Sequence, residues 1–196
     1  ADAVVHGAGR VPDLAELGLE AAGVAWGPRG VKVNAYLQST SNPAVYAAGD
    51  AADSGGPPLT PVAGYESRIV AANLLGGNHA TPDYSGIPSV VFTLPPLAAV
   101  GLHEDEARRR GFRFRVTHLD TSGWYSSRRR AETCSGFKVL VEEETDRVLG
   151  AHLLGPHAEE LVNLFGLAVR WGWPAKHLRE AFYAYPTHGS DVPYTL

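Results

Sequence analysis

Eight residues constrain this chain most: Val45 to Ala52, Val-Tyr-Ala-Ala-Gly-Asp-Ala-Ala, pass from an apolar stretch into small residues and then a single carboxylate. A buried strand followed by Gly49-Asp50 delivers that carboxylate at the strand's carboxyl end, where open α/β sheets bind ligands. Ala47, Ala48 and Gly49 let the backbone approach a bulky group. Asp50, an acceptor-only ion, suits the vicinal hydroxyls of a ribose or ribityl chain. A turn-forming Asp is the plainer alternative.

The flanking pattern predicts pieces of a parallel sheet. Val4 to His6 and Val45 to Ala48 read as short buried strands, and Asp13 to Ala22 as a helix with Leu14, Leu17 and Leu19 inward. From Pro61 to Leu75, the residues Val62, Tyr65, Ile69, Ala72 and Leu75 recur at helical spacing. Thr60 suits the cap, Pro61 the first helical position, and Gly76-Gly77-Asn78 ends the helix. Residues 81–88, with two prolines and a glycine, predict a linker between residues 1–80 and residues 89–196.

Beyond the linker the hydrophobic period changes to two. Ser89 to Leu94, Ala98 to Leu102, Phe112 to Thr117, Phe137 to Glu142 and Val148 to Leu154 read as strands, with Glu143 to Asp146 as a polar hairpin turn. Glu104 to Arg110 reads as a helix. A second helix, Ala158 to Trp171, places Leu161, Leu164, Phe165, Leu167 and Ala168 on one side. The expectation is an α+β domain, a mainly antiparallel sheet with helices on one face. Phe165, Trp171, Trp173 and Tyr183 are available either to a subunit interface or to an ordinary core.

Charge and composition argue against other classes. The net charge is −4, and the basic runs Arg108 to Arg110 and Arg128 to Arg130 are short, which suits solvated faces better than nucleic acid. No apolar stretch reaches the roughly 18 residues that cross a bilayer. A single cysteine, Cys134, fits a reducing cytoplasm and cannot form an intrachain disulfide. The eight histidines show no metal-ligand spacing, so no metal site is expected; Glu159 and Glu160 read as a solvated helix face.

Several segments together resemble the flavoprotein disulfide reductase family, whose members include glutathione reductase, dihydrolipoamide dehydrogenase and mercuric reductase. They are Ala3 to Pro12 (Ala-Val-Val-His-Gly-Ala-Gly-Arg-Val-Pro), Gly30 to Ser41, Val45 to Ala52, and Leu59-Thr60-Pro61-Val62-Ala63 with the helix that continues through Glu66, Arg68 and Asn73. Pro88 to Ala107, Gly136 to Val141, Arg147 to Gly155 and the helix from Ala158 extend the likeness to the end of the chain. The resemblance implies an incomplete α/β FAD/NAD(P)-binding segment followed by an α+β dimerisation domain. It also implies FAD and NAD(P)H as cofactors of the full-length parent, not held firmly by this fragment without the phosphate-binding turn, together with a homodimer and a small-molecule electron acceptor. Gly49 and Asp50 match the second FAD motif, and Leu59, Thr60, Pro61, Val62 and Ala63 match the helix whose amino terminus faces the flavin pyrimidine ring. Such a terminus favours negative charge by about 0.3–1 kcal/mol.

Two family features are absent from these 196 residues: a Gly-x-Gly-x-x-Gly turn, since Gly7-Ala-Gly9 runs into Arg10 and Pro12, and a redox cysteine pair. The chain therefore reads as the carboxyl-terminal part of a longer enzyme, cut inside the NAD(P) domain. The family's His-Pro-Thr-x-x-Glu signature is matched by Tyr185-Pro186-Thr187-His188-Gly189-Ser190, with Tyr for His and Ser for Glu. An ordinary Tyr has a pKa about 10 against about 6.5 for His, and a positioned acid-base contributes about 10²- to 10⁴-fold in rate. The usual dithiol route is thus in question. Tyr185 as a neutral donor, or His188 with Asp191 three residues on, are the substitutes the sequence offers. The carboxyl-terminal cysteines of mercuric reductase are also missing, which argues against mercury reduction. As isolated, the chain also reads as a non-catalytic homodimerisation module.

Overall fold

The computed structural model describes residues 1–196, which divide into two units, Ala1–Tyr84 and Ser85–Leu196. In the first, three short strands form a sheet in the order β1-β2-β3: β1 (Trp26–Gly27), β2 (Gly30–Lys32) and β3 (Ala52–Asp53). β1 and β2 are antiparallel, while β2 and β3 are parallel, pairing Val31 with Ala52 and Lys32 with Asp53. Leu14, Val24 and Val31 make a small core, with Leu19, Val33, Val45, Ala47 and Ala51 packed on it.

Three expected elements of this unit do not form. Residues 4–6 are not a strand: no neighbouring strand meets them, and Val4 and Val5 are exposed. Of the helix expected over residues 13–22 only a 3-10 turn, Ala15–Leu17, is present. Gly18 and Gly23 adopt left-handed backbone there, and Leu17 points to solvent. Val45 to Ala48 folds back on residues 37–39 through the single bridge of Gln38 to Tyr46 rather than joining the sheet.

Helix α1 (Thr60–Gly76) forms as its spacing predicts, but Leu59 is the cap, so Thr60 is the first helical residue and Pro61 the second. Its buried stripe is Val62, Glu66, Ile69 and Asn73. Tyr65 and Ala72 are only half-buried, and Leu75 is exposed. Spacing of apolar residues alone therefore misplaced the inward face, because two polar residues occupy it.

The second unit is built on a five-stranded antiparallel sheet in the order β4-β5-β8-β7-β6. Its strands are β4 (Ser89–Val91), β5 (Leu97–Gly101), β6 (Phe114–Asp120), β7 (Gly136–Glu142) and β8 (Val148–Leu154). β4 stops at Val91, short of Leu94; Pro95 and Pro96 follow, which have no amide to give a ladder. β6 lies later than the expected Phe112 to Thr117 because its ladder with β7 continues to the pair Asp120–Gly136.

Helices α2 (Glu104–Arg109), α3 (Tyr125–Arg128), α4 (Ala158–Trp171) and α5 (Ala175–Arg179) complete the unit, with a 3-10 helix, His188–Thr195, at the end. α4 packs on β5 and β8. Val162, Phe165 and Ala168 are its inward residues, set against Ala98, Val100, Val139, Val141, Ala151 and Leu153. Phe165 is thus core rather than a surface aromatic; Leu167, expected inward, faces outward, and Val162 lies inward. Asp146, at the β7–β8 turn, fastens α5. Its carboxylate accepts from Arg115 at 2.7 Å, Arg179 at 3.3 Å and the Lys176 amide at 2.9 Å. Burial alone would raise the Asp146 carboxyl, but Arg115 and the Lys176 amide hold it below the usual range.

Candidate functional site

Gly49 opens a 3-10 turn, Gly49–Ala51, that connects into β3. It has φ +63°, and a Cβ there would lie 2.8 Å from the Ala63 Cβ of α1, so glycine is required on both counts. The Gly49 amide donates to Glu66 Oε2 at 2.6 Å. This anchored turn presents Asp50 outward. Its carboxylate is exposed and takes part in no hydrogen bond or ion pair.

Asp50 lies on a cleft of about 680 Å³ lined also by Arg10, Arg29, Gly49, Gly55, Gly56 and Val62. The walls combine a free carboxylate, glycine backbone and guanidinium groups, of which Arg29 pairs with Asp53 at 3.3 Å. Of the other residues expected to contact a cofactor, Ala63 supports Gly49 from beneath, while Leu59, Thr60 and Pro61 form the entry turn of α1 outside the cleft lining. The Val62 and Ala63 amides close onto the Leu59 carbonyl at 2.9 and 3.0 Å. Pro61 has no amide, so the Thr60 N–H is the remaining donor of that turn.

Behind the cleft, Glu66 is fully buried. Its Oε1 accepts from the Ser54 and Tyr84 hydroxyls, each at 2.6 Å. Burial, then the hydrogen bond to Glu66, pushes the Tyr84 hydroxyl up to about 12. The roles of Glu66, Ser54 and Tyr84 were not anticipated, although a signal existed. Glu66 and Asn73 alternate with Val62 and Ile69 at three- and four-residue intervals, which marks a polar pair on a buried stripe.

The carboxyl-terminal residues separate in function. Tyr185 is exposed, joined to Pro186 by a cis peptide bond. Thr187 caps the final 3-10 helix, accepting from the Ser190 amide at 3.3 Å. The inward stripe of that helix is His188, Val192 and Thr195, and Asp191 stands beside it. His188 and Asp191 border the same cavity of about 60 Å³, with Thr121, Ser126, Ser127 and Ser135. The expected His188–Asp191 pair nevertheless does not form: no hydrogen bond or ion pair joins them, and the imidazole packs on His157 with ring centroids 5.1 Å apart. His188 Nε2 is buried without a partner. Burial and then His157 hold this imidazole below its ordinary pKa, against the opposing pull of Asp191. Glu159, expected on a solvated face, likewise buries Oε2 without a partner.

A sequence profile of the pyridine nucleotide-disulphide oxidoreductase dimerisation domain matches residues 87–194. A second profile, of pyridine nucleotide-disulphide oxidoreductase itself, matches residues 1–67. The chain belongs to the pyridine nucleotide-disulphide oxidoreductase family. An uncharacterized 19.7 kDa protein in a mercuric resistance operon of Staphylococcus aureus is 46% identical over 180 residues, 92% of this chain and 100% of that protein. A mercuric reductase of S. aureus is 37% identical, covering 95% of this chain and 34% of its own length. Human mitochondrial dihydrolipoyl dehydrogenase is also 37% identical, over 91% of this chain and 35% of the enzyme. The chain thus spans about a third of these two enzymes. Among solved structures, the Cu(II) complex of the HOCl-induced flavoprotein disulfide reductase RclA of Escherichia coli superposes with a TM-score of 0.84 at 31% identity, covering 96% of this chain and 43% of that one. The family is one of flavoprotein oxidoreductases, and its dimerisation domain occupies the second unit of this chain.

Proposed function

We propose that this chain supplies the ribityl-contacting cleft and the dimerisation surface of an FAD-dependent NAD(P)H oxidoreductase that delivers electrons to a small-molecule acceptor. The observation that carries the reading is Asp50: an exposed carboxylate without a protein partner, held on the Gly49 turn at the edge of a cleft. An acceptor-only group fits a hydroxylated chain, and the glycine backbone around it admits close approach. The chemistry supplied by bound FAD is acceptance of hydride from NAD(P)H and onward transfer of electrons. Asp50 accepts hydrogen bonds from ribityl hydroxyls, and the Thr60 amide with the α1 dipole favours negative charge at the helix entrance. In the second unit Tyr185 offers its exposed phenol as a hydrogen-bond donor to the acceptor, while His188 and Asp191 seat the segment that carries it. Cys134 is exposed and single, so an intrachain dithiol step has no support within these residues. The single cysteine supports a cytoplasmic protein, the net charge of −4 argues against a nucleic-acid partner, and no helix is long and apolar enough to cross a membrane.

FAD titrated into the chain is expected to lose fluorescence on binding, and in the full-length protein NADH or NADPH is expected to bleach the flavin bands anaerobically. Unquenched flavin together with a colourless full-length protein would reject the reading. A second reading, a homodimerisation module without catalysis, is favoured by the 19.7 kDa relative matched over its whole length and by the exposed Phe92, Leu94 and Phe182. It predicts a dimer that leaves flavin fluorescence unchanged; a monomer in sedimentation at micromolar concentration would count against it.

A further inference from the structure

We propose that Glu66 is the positioning residue of the cleft, fixing the Gly49–Asp50 turn so that Asp50 meets the hydroxyls of a bound ribityl chain; the inference rests on the cofactor reading above. Glu66 itself borders the cleft, yet it is fully buried and both its oxygens are engaged. Oε2 takes the Gly49 amide at 2.6 Å, immediately before Asp50. Oε1 takes Ser54, which leads into the Gly55–Gly56 wall, and Tyr84, the last residue of the first unit. The Tyr84 ring also lies against that wall, since a Cβ on Gly56 would come within 2.6 Å of it. One carboxylate therefore ties the Asp50 turn, the opposite glycine wall and α1 into one arrangement. A buried carboxylate persists only with such donors, so the arrangement and the ion sustain each other.

The hydrogen-bond chemistry makes the proposal sharp. The Gly49 amide can only donate, whereas the Ser54 and Tyr84 hydroxyls can donate or accept. A glutamine at position 66 would turn its carbonyl to Gly49 and its NH₂ to the two hydroxyl oxygens, and every group would keep a partner. A leucine of similar reach would release Gly49 and strand three donors. The dependence is thus on an acceptor at Gly49, which distinguishes positioning from simple filling of space.

The test adds FAD to the isotope-labelled 196-residue chain as wild type, Glu66→Gln, Glu66→Leu and Tyr84→Phe, reading backbone amide shifts and flavin fluorescence. In wild type the Gly49 and Asp50 amides are expected to move on binding. Glu66→Leu should weaken FAD by about tenfold or more, Glu66→Gln should rescue affinity to within about threefold of wild type, and Tyr84→Phe should fall between them. Should Glu66→Leu unfold the first unit, the Gln and Phe variants decide: Gln weaker than Phe overturns the proposal. Wild-type affinity in folded Glu66→Leu would also overturn it while leaving the cofactor reading intact. No movement of Gly49 or Asp50 in wild type would overturn the proposal, and together with a colourless full-length protein it would remove that reading as well.

Discussion

In the unit from Ser85 to Leu196, Val162, Phe165 and Ala168 of α4 press on a continuous apolar face of the sheet. In the unit from Ala1 to Tyr84, Glu66 and Asn73 rank among the largest fully buried side chains, beside Leu37. Asn73 donates to the carbonyls of Tyr36 at 3.0 Å and Ala80 at 2.8 Å, and accepts from the amides of His79 at 3.0 Å and Ala80 at 2.9 Å. Burial without directional partners tolerates small displacements, whereas a polar clamp fixes distances within a few tenths of an ångström. The contrast teaches why the candidate cleft lies where it does: its geometry is set by hydrogen bonds, and its stability and ligand geometry are therefore linked.

The strongest way to break the contrast is Phe165→Ala. Removing this wholly buried ring should cost about 3–5 kcal/mol, read by denaturant unfolding of the second unit; a loss below about 1 kcal/mol would deny that unit its apolar basis. Asn73→Ala probes the other side. Leaving its four partners unmet should cost about 2–3 kcal/mol and remove hydrogen-exchange protection at His79 and Ala80, with the second unit unaffected. Gly49→Ala should cost about 1–2 kcal/mol for the left-handed backbone, and more where the new methyl meets Ala63, seen as lost protection at Gly49 and Ser54.

Acid should sharpen the comparison more gently. His188 titrates lower in the fold than its ordinary 6.5. The unfolded chain then binds the proton more readily, so stability is full above pH 6.5 and declines as pH falls towards the lowered value. His188→Leu should flatten that decline in the second unit while the first keeps its own profile. Smallest of all, Glu106→Gln should change stability by about 0.5 kcal/mol or less, because the Arg110–Glu106 pair lies on the surface of α2.

Much of the second unit was legible because its signals are redundant. Alternation, the polar Glu143–Asp146 turn and the helical stripe of α4 agree with one another, and packing completes them. The misplacement of Leu167 came from choosing among neighbouring apolar residues on one helix, of which Phe165 and Ala168 do turn inward. The first unit was less legible because a parallel strand is recognised by partners it must find elsewhere: residues 4–6 carry strand composition but meet no ladder. The exposed turn that carries Asp50 was readable from its Gly-Asp context. The clamp behind it was readable only from an unusual clue, a glutamate and an asparagine at core positions of α1. The failure of His188 to meet Asp191 could not be read from spacing, since which face of the last helix turns inward depends on His157 and the packing beneath it.

The most direct measurement is the affinity of FAD for the wild-type chain and for Asp50→Ala, determined by fluorescence titration in matched buffer. The account predicts that removing the unpartnered carboxylate weakens binding by about tenfold to a hundredfold, the worth of one or two hydrogen bonds to a charged acceptor. Equal affinity in the two proteins, or no binding by either together with a colourless full-length protein, would contradict it.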